Sequence, residues 1–247
     1  MAQKATTIKD FNYSNGHILL GKYQIIEKLG AGWEGEVYKV KEMKSDVVRA
    51  LKLFYPHRNI RFEKSKRYIQ KLHNLESAKI VMQYHTMEIL KTKGHEVACI
   101  ISEFIEGEML SKVVSMHKGK RLGAFKALHL LYSLVKGVES IHLAGEYHGD
   151  LHVDNIIIRK FGLSFDLKVI DLHHWGDSKK DNRDEDIIKV IHIFYEVLGG
   201  DKVYMKLPEA IKYIIKGRKR SLILKEFKTI THLRAHLENM EWEYEVL

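Results

Sequence analysis

The chain has 247 residues, 45 % of them apolar and 30 % charged, and a net charge of +9. These proportions exclude a disordered or fibrous chain, and the length fits one domain or one two-lobed unit. A single cysteine, Cys99, excludes an internal disulfide framework and a cysteine-rich zinc module, and its apolar surroundings predict a small core residue.

The opening stretch, MAQKATTIKDFNYSNG, lacks the apolar segment of a signal peptide, so a cytoplasmic protein is expected. Tyr23 to Leu29 reads as a strand that runs into Gly30-Ala31-Gly32. Glu36 to Val40 and Val47 to Phe54 read as a hairpin turning at Lys44-Ser45-Asp46. Asn59 to Glu76 has Ile69, Leu72 and Leu75 at helical spacing. Ile80 to Leu90 and Val97 to Phe104 are two further strands around the Lys93-Gly94 turn.

Helices dominate the second half. Ala124 to Leu143 carries an apolar stripe of Leu128, Leu131, Val135, Val138 and His142. Short strands are expected at Ile156 to Ile158 and Leu167 to Ile170. Asp186 to Leu198 reads as an apolar helix stopped by Gly199-Gly200, and residues 208–240 as two or three amphipathic helices. The change from strands to helices near residues 105–109 predicts two lobes. The basic stretch Lys216 to Arg220 reads as a solvated helix end, and no aromatic-interleaved basic motif predicts a specific nucleic-acid partner.

Gly30, Gly32 and Gly35 form a G-x-G-x-x-G-x-V pattern ending in Val37. A dinucleotide-binding turn would continue into a helix, but here the chain continues as a strand. The loop is therefore a bend between two strands, and its glycines let the backbone approach phosphates without a Cβ in the way. Seventeen residues after Gly35, Lys52 interrupts an apolar strand beside Ala50, Leu51, Leu53 and Phe54. A charge in that setting needs a partner, which nucleotide phosphates would provide; a place on the solvent face of the strand would also satisfy it.

His148-Gly149-Asp150-Leu151-His152-Val153-Asp154-Asn155 follows the long helix, and Lys168-Val169-Ile170-Asp171 ends an apolar strand in a carboxylate. Phosphoryl transfer from a nucleotide needs a carboxylate to orient the acceptor hydroxyl, hard oxygen ligands for magnesium, and positive charge at the phosphates. Asp150, Asn155 with Asp171, and Lys52 fill these roles in order.

With these residues in place, the sequence resembles the protein-kinase-like superfamily over roughly residues 22–200. The resemblance implies an α+β fold, with a small antiparallel β lobe over residues 21–104 and a mostly helical large lobe over 105–247, preceded by an N-terminal extension, 1–20. It implies ATP and Mg2+ as cofactors. Gly30, Gly32, Gly35, Val37 and Ala50 would border the nucleotide, and Lys52 would hold its α- and β-phosphates. Ile101 to Gly107 resembles the hinge, which makes the Glu103 carbonyl and the Ile105 amide adenine contacts and Ser102 the gatekeeper. Asp150 matches the catalytic aspartate, with Asn155 and Asp171 its metal ligands. Asp186 would brace the catalytic loop through backbone amides.

The departures carry information too. Gly149 stands where many kinases have an arginine that receives an activation-loop phosphate. His152 replaces the usual lysine, as in aminoglycoside- and choline-type kinases, and is expected to assist at the γ-phosphate in a pH-dependent manner, because histidine is partly charged near neutral pH. Asp171 is followed by Leu172-His173, and Asp186 comes only fifteen residues after it, with no proline between Pro56 and Pro208. An activation segment with a peptide-docking platform does not fit that space. For the helix glutamate that usually pairs with the strand lysine, Glu63 is the nearest candidate; other alignments place Tyr68 or Ser65 there, and Glu76 is a fallback.

Three functions are compatible with the sequence. The first is a serine/threonine protein kinase with a short activation segment. The others are a kinase acting on a small-molecule, sugar or lipid-linked hydroxyl, and a nucleotide-binding pseudokinase.

Overall fold

The computed structural model describes residues 7–161, 164–174, 176 and 178–241. The first six residues of the expected extension and residues 242–247 of the expected large lobe lie outside them. The chain divides into two compact units, one of residues 1–76 and 82–105, the other of residues 77–81 and 106–247. Among the described residues no helix is long and apolar enough to cross a membrane.

The first unit is built on β1 (Ile18–Leu19), β2 (Tyr23–Ala31), β3 (Gly35–Glu42), β4 (Val48–Phe54), α1 (Glu63–Asn74), β5 (Tyr84–Thr92) and β6 (His95–Glu103). Its six strands form one antiparallel sheet in the order β1-β2-β3-β4-β6-β5. Side chains alternate across a strand, so Leu51 and Leu53 face one side while Ala50 and Lys52 face the other. Leu51 and Leu53 are fully buried with Tyr38, Val40, Val97, Cys99 and Ile101. Val37 and Ile100, the register partners of Lys52, share its face.

The apolar face is covered by the N-terminal segment. Ile8 and Phe11 are buried in this same core, and Tyr13 packs against it. Residues 7–20 are thus part of the first unit rather than an appendage to it. The tie is a carboxylate. Glu36, on the same face as Tyr38, is fully buried and accepts the backbone N–H groups of Phe11 and Asn12 at 3.0 and 3.2 Å. Tyr38 and Tyr55 donate their hydroxyls to it, and Lys28 Nζ lies at 3.1 Å. Burial pushes the Glu36 carboxyl up, but the bonds from Tyr38, the Phe11 amide, Lys28 and the Asn12 amide outweigh it and hold the group below its ordinary value. Burial with the neighbouring Glu36 charge in turn pushes the Tyr55 hydroxyl up to about 12.

Two boundaries differ from the sequence expectation. The helix expected over 59–76 begins at Glu63, because Arg61 and Phe62 both adopt positive φ and break it from the two short 3-10 turns that precede it. The strand expected from Ile80 begins at Tyr84, since residues 77–81 belong to the second unit. There Val81 bridges Val169 in parallel, and Val169 donates its N–H to Ile80 O at 2.8 Å.

The second unit contains β7 (Glu108–Met109), α2 (Leu110–Met116), α3 (Ala124–Leu143), β8 (Ile156–Phe161), β9 (Ser164–Val169), α4 (Lys179–Val197), α5 (Asp201–Tyr204), α6 (Glu209–Ile215), α7 (Arg220–Glu226) and α8 (Ile230–Asn239). β7, β8 and β9 form a small antiparallel sheet. On α3, Leu128, Leu131, Val135 and Val138 are buried as the helical spacing requires, against α4 and α8. α4 begins seven residues before the expected Asp186, because Ser178 caps it by accepting the Asp181 N–H. Its core is Ile187, Ile188, Val190, Ile191 and Phe194, all buried.

Candidate active site

The glycine loop of the first unit is the turn from β2 to β3, closed by the Gly32 N–H donating to Gly35 O at 2.9 Å. Gly30 and Gly32 have open space where a Cβ would stand, whereas a Cβ on Gly35 would lie 1.9 Å from Leu53 O. Only glycine lets β3 start this close to β4. Trp33 at the tip is 59 % exposed and sits between the Arg58 guanidinium, 4.1 Å from its ring centre, and Lys64 Nζ at 4.0 Å.

On the Lys52 face, Val37 and Ala50 are half-buried. Lys52 Nζ lies 3.4 Å from Glu34 Oε2 and 5.2 Å from the ring centres of both Phe54 and Tyr68. Glu63 is the exposed first residue of α1 and does not pair with Lys52. Tyr68, one turn and a half further along α1, is instead the helix residue whose ring lies against the strand lysine. Glu76 lies beyond the helix, beside His73. Ser65 is buried and bonded to Asn59, so neither of these alternatives meets Lys52. Glu103 closes β6, where its side chain accepts the Gln83 N–H at 2.8 Å. Ile105 follows as the last residue of the unit.

In the second unit, the carboxylate of Asp186 on α4 is 1 % exposed. It accepts the backbone N–H groups of His148 at 2.7 Å and Gly149 at 2.9 Å, and His142 Nε2 lies 3.1 Å away. The loop is stitched on its other side as well. His148 Nε2 lies 3.1 Å from Ile170 O, and the His173 N–H donates to His148 O at 2.9 Å. Gly149 has φ +87°, and a Cβ there would lie 2.8 Å from His173 O.

This frame presents the candidate chemical groups. Asn155 Nδ2 donates to Asp150 O at 2.9 Å and lies 3.4 Å from Asp150 Oδ2. Asp150 is about half exposed, and His152 Nε2 lies 3.7 Å from its Oδ2. The Ile170 N–H donates to Asn155 O at 3.0 Å, which ties the Asn155 turn to the strand end that carries Asp171. Asp171 itself has φ +55° and is half-buried. An amide oxygen and a carboxylate are hard donors that suit magnesium. The Asn155 amide fits that use, because its nitrogen is spent on Asp150 and its oxygen occupies the other arm.

Glu34, Glu36 and His142 are the residues that sequence reasoning did not place in these roles, whereas Tyr68 is one of the alternatives the alignment offers opposite Lys52. Glu34 and Glu36 were visible only as variable positions of the glycine pattern. His142 was read as part of the α3 stripe, which is correct for its position and silent about Asp186. Burial pushes the Cys99 thiol up to about 12, in keeping with a core residue.

Residues 23–222 match the protein kinase domain family. Serine/threonine-protein kinase pkn2 of Myxococcus xanthus is 26 % identical over 157 residues, covering 62 % of this chain and 18 % of pkn2. CBL-interacting protein kinase 12 of Oryza sativa subsp. japonica is 30 % identical over 160 residues, covering 64 % of this chain and 28 % of that protein. The chain thus spans less than a third of the length of these two relatives. The probable serine/threonine-protein kinase YbdM of Bacillus subtilis (strain 168) is 25 % identical over 245 residues, 94 % of this chain and 87 % of YbdM. Among solved structures, a double mutant of the PknI kinase domain of Mycobacterium tuberculosis is similar in fold, with a TM-score of 0.63 at 15 % identity over 93 % of this chain and 98 % of that one. With the matched segment running from the first long strand to α7, this chain belongs to the protein kinase domain family.

Proposed function

We propose that the chain is a serine/threonine protein kinase that transfers the γ-phosphoryl group of ATP to a protein hydroxyl with the help of magnesium. The observation that carries this reading is the Asp186-braced loop, in which Asn155 is hydrogen-bonded to Asp150 and tied through Ile170 to the strand end bearing Asp171. Lys52 holds the α- and β-phosphates, and Gly30, Gly32 and Gly35 let the loop backbone cover them. Asn155 and Asp171 would hold magnesium, whose charge offsets that of the phosphates. Asp150 accepts the hydrogen bond of the attacking hydroxyl and orients it in line, and His152 beside it supplies positive charge when protonated. Val37 and Ala50 border the nucleotide, and the Glu103 carbonyl and Ile105 amide meet the adenine edge.

α4 begins at Lys179, eight positions after Asp171, which supports a short activation segment. It also favours a second reading, a small-molecule hydroxyl acceptor, because a short segment offers little platform for a peptide. The test is incubation with γ-labelled ATP, magnesium and a cell extract, counting protein and small-molecule fractions separately. Label on protein supports the first reading. Label confined to small molecules other than free phosphate supports the second. No transfer to either fraction contradicts both and leaves a pseudokinase.

A further inference from the structure

The strand lysine needs an acidic partner that keeps its ammonium aimed at the phosphates, and α1 does not supply one. The α1 residue that meets Lys52 is Tyr68, which offers a ring face and no negative charge. A carboxylate does reach Lys52, but from the glycine loop: Glu34 Oε2 lies 3.4 Å from Lys52 Nζ. We propose that Glu34 is the positioning residue for Lys52, a counter-charge moved from the helix to the loop. The inference rests on the nucleotide-binding reading above.

Three features of the surroundings support it. The pair is sheltered, with the Lys52 side chain 15 % and the Glu34 side chain 27 % exposed, so its attraction is less screened than on an open surface. The second carboxylate oxygen, Glu34 Oε1, lies 3.7 Å from Lys64 Nζ on α1. Each oxygen thus faces its own cation, and α1 still takes part in fixing the strand lysine, through Lys64 and Glu34 rather than directly. The adjacent Trp33 is clasped by Arg58 and the same Lys64, which anchors the loop tip beside α1.

An acidic residue in a phosphate-covering loop could instead compete with the phosphates for Lys52. The two roles have opposite consequences. An ammonium has three N–H donors, so Lys52 can hold Glu34 and phosphate oxygens together, while Lys64 offsets the remaining carboxylate charge.

The test compares wild type, Glu34→Gln, Tyr68→Glu and the double variant, each checked by thermal melting. Two readouts are taken. In phosphoryl transfer, Glu34→Gln is expected to lower kcat/KM for ATP by about tenfold, the scale of one charge-assisted hydrogen bond, and Tyr68→Glu in the same chain to restore most of it. A purely structural role of Glu34 gives no such rescue. Without nucleotide, the Lys52 amine is acylated by an amine-reactive ester and its modification followed by mass spectrometry. Glu34→Gln is expected to raise the rate about threefold, the scale of a partly sheltered ion pair, and the double variant to lower it again. Unchanged Lys52 labelling in Glu34→Gln overturns the proposal. So does tighter nucleotide binding with undiminished turnover, which is the signature of a competitor. The labelling readout decides the role of Glu34 even if the wild type transfers no phosphate, an outcome that refutes only the proposed function.

Discussion

Glu36 accepts the backbone N–H of Phe11 at 3.0 Å, a bond that joins the N-terminal segment to the strand leaving the glycine loop. Phe11, Asn12, Tyr38, Tyr55 and Lys28 all converge on this one buried carboxylate. Glu36→Ala strands several buried donors and is expected to cost about 2–4 kcal/mol in chemical denaturation. Because the folded carboxyl is held below its ordinary value, its contribution is present at neutral pH and lost as the pH falls through the folded value. The stability difference between wild type and Glu36→Gln should therefore narrow below roughly pH 4. A difference that stays constant down to acid would show that the carboxylate charge plays no part.

The Cys99 thiol is fully buried and pushed up to about 12 by burial. It should resist thiol reagents at neutral pH until the first unit opens. Labelling with a chromogenic disulfide in native buffer and in denaturant checks this: slow in the first, complete in the second. Fast labelling of the native protein would contradict the packing of β6.

Gly149 occupies positive φ with His173 O directly in the path of a Cβ. Gly149→Ala and Gly149→Arg should each destabilise by about 1–3 kcal/mol, seen as a melting temperature lowered by several degrees. Restoring the arginine found in many kinases thus disrupts the loop rather than adding a phosphate receptor. A Gly149→Arg chain that melts like the wild type would contradict this.

Asp186 holds the amides of His148 and Gly149 with its two oxygens. Asp186→Asn turns an NH2 group toward one of those donors. It should cost about 2–3 kcal/mol and lower turnover as well, because Asp150 follows directly on the displaced backbone. Full activity at a lower melting temperature would show that the brace is structural alone.

Much of this architecture was legible in the sequence because its signals are periodic or local. The apolar stripe of α3 reports its buried face, and the short apolar runs report β4 and β6. The spacing of Asp150, Asn155 and Asp171 reports a loop and the strand end tied to it. What stayed hidden is long-range and polar. Nothing in the mixed sequence around Ile8 and Phe11 indicates that both are buried, since their burial depends on Glu36, 25 residues away from Phe11. The start of α1 was misplaced because positive φ at Arg61 and Phe62 has no local sequence mark; both are residues that normally favour helix or strand. The late start also leaves Glu63, the nearest glutamate in the sequence, as the exposed first residue of the helix. α4 was read too short because its first turns, Lys179 to Glu185, are charged and solvated, with only the Ser178 cap to announce them.

The central claim is the proposal that Asp150, Asn155 and Asp171 serve phosphoryl transfer. Its most direct test is the initial rate of γ-phosphoryl transfer from labelled ATP with magnesium, for wild type beside Asp150→Asn and Asp171→Ala. Asp150 is about half exposed, so Asp150→Asn should melt close to the wild type. Transfer by the wild type, with a loss of about 10²–10³-fold in each variant, is the predicted result. Transfer that survives Asp171→Ala at the wild-type rate would contradict the account.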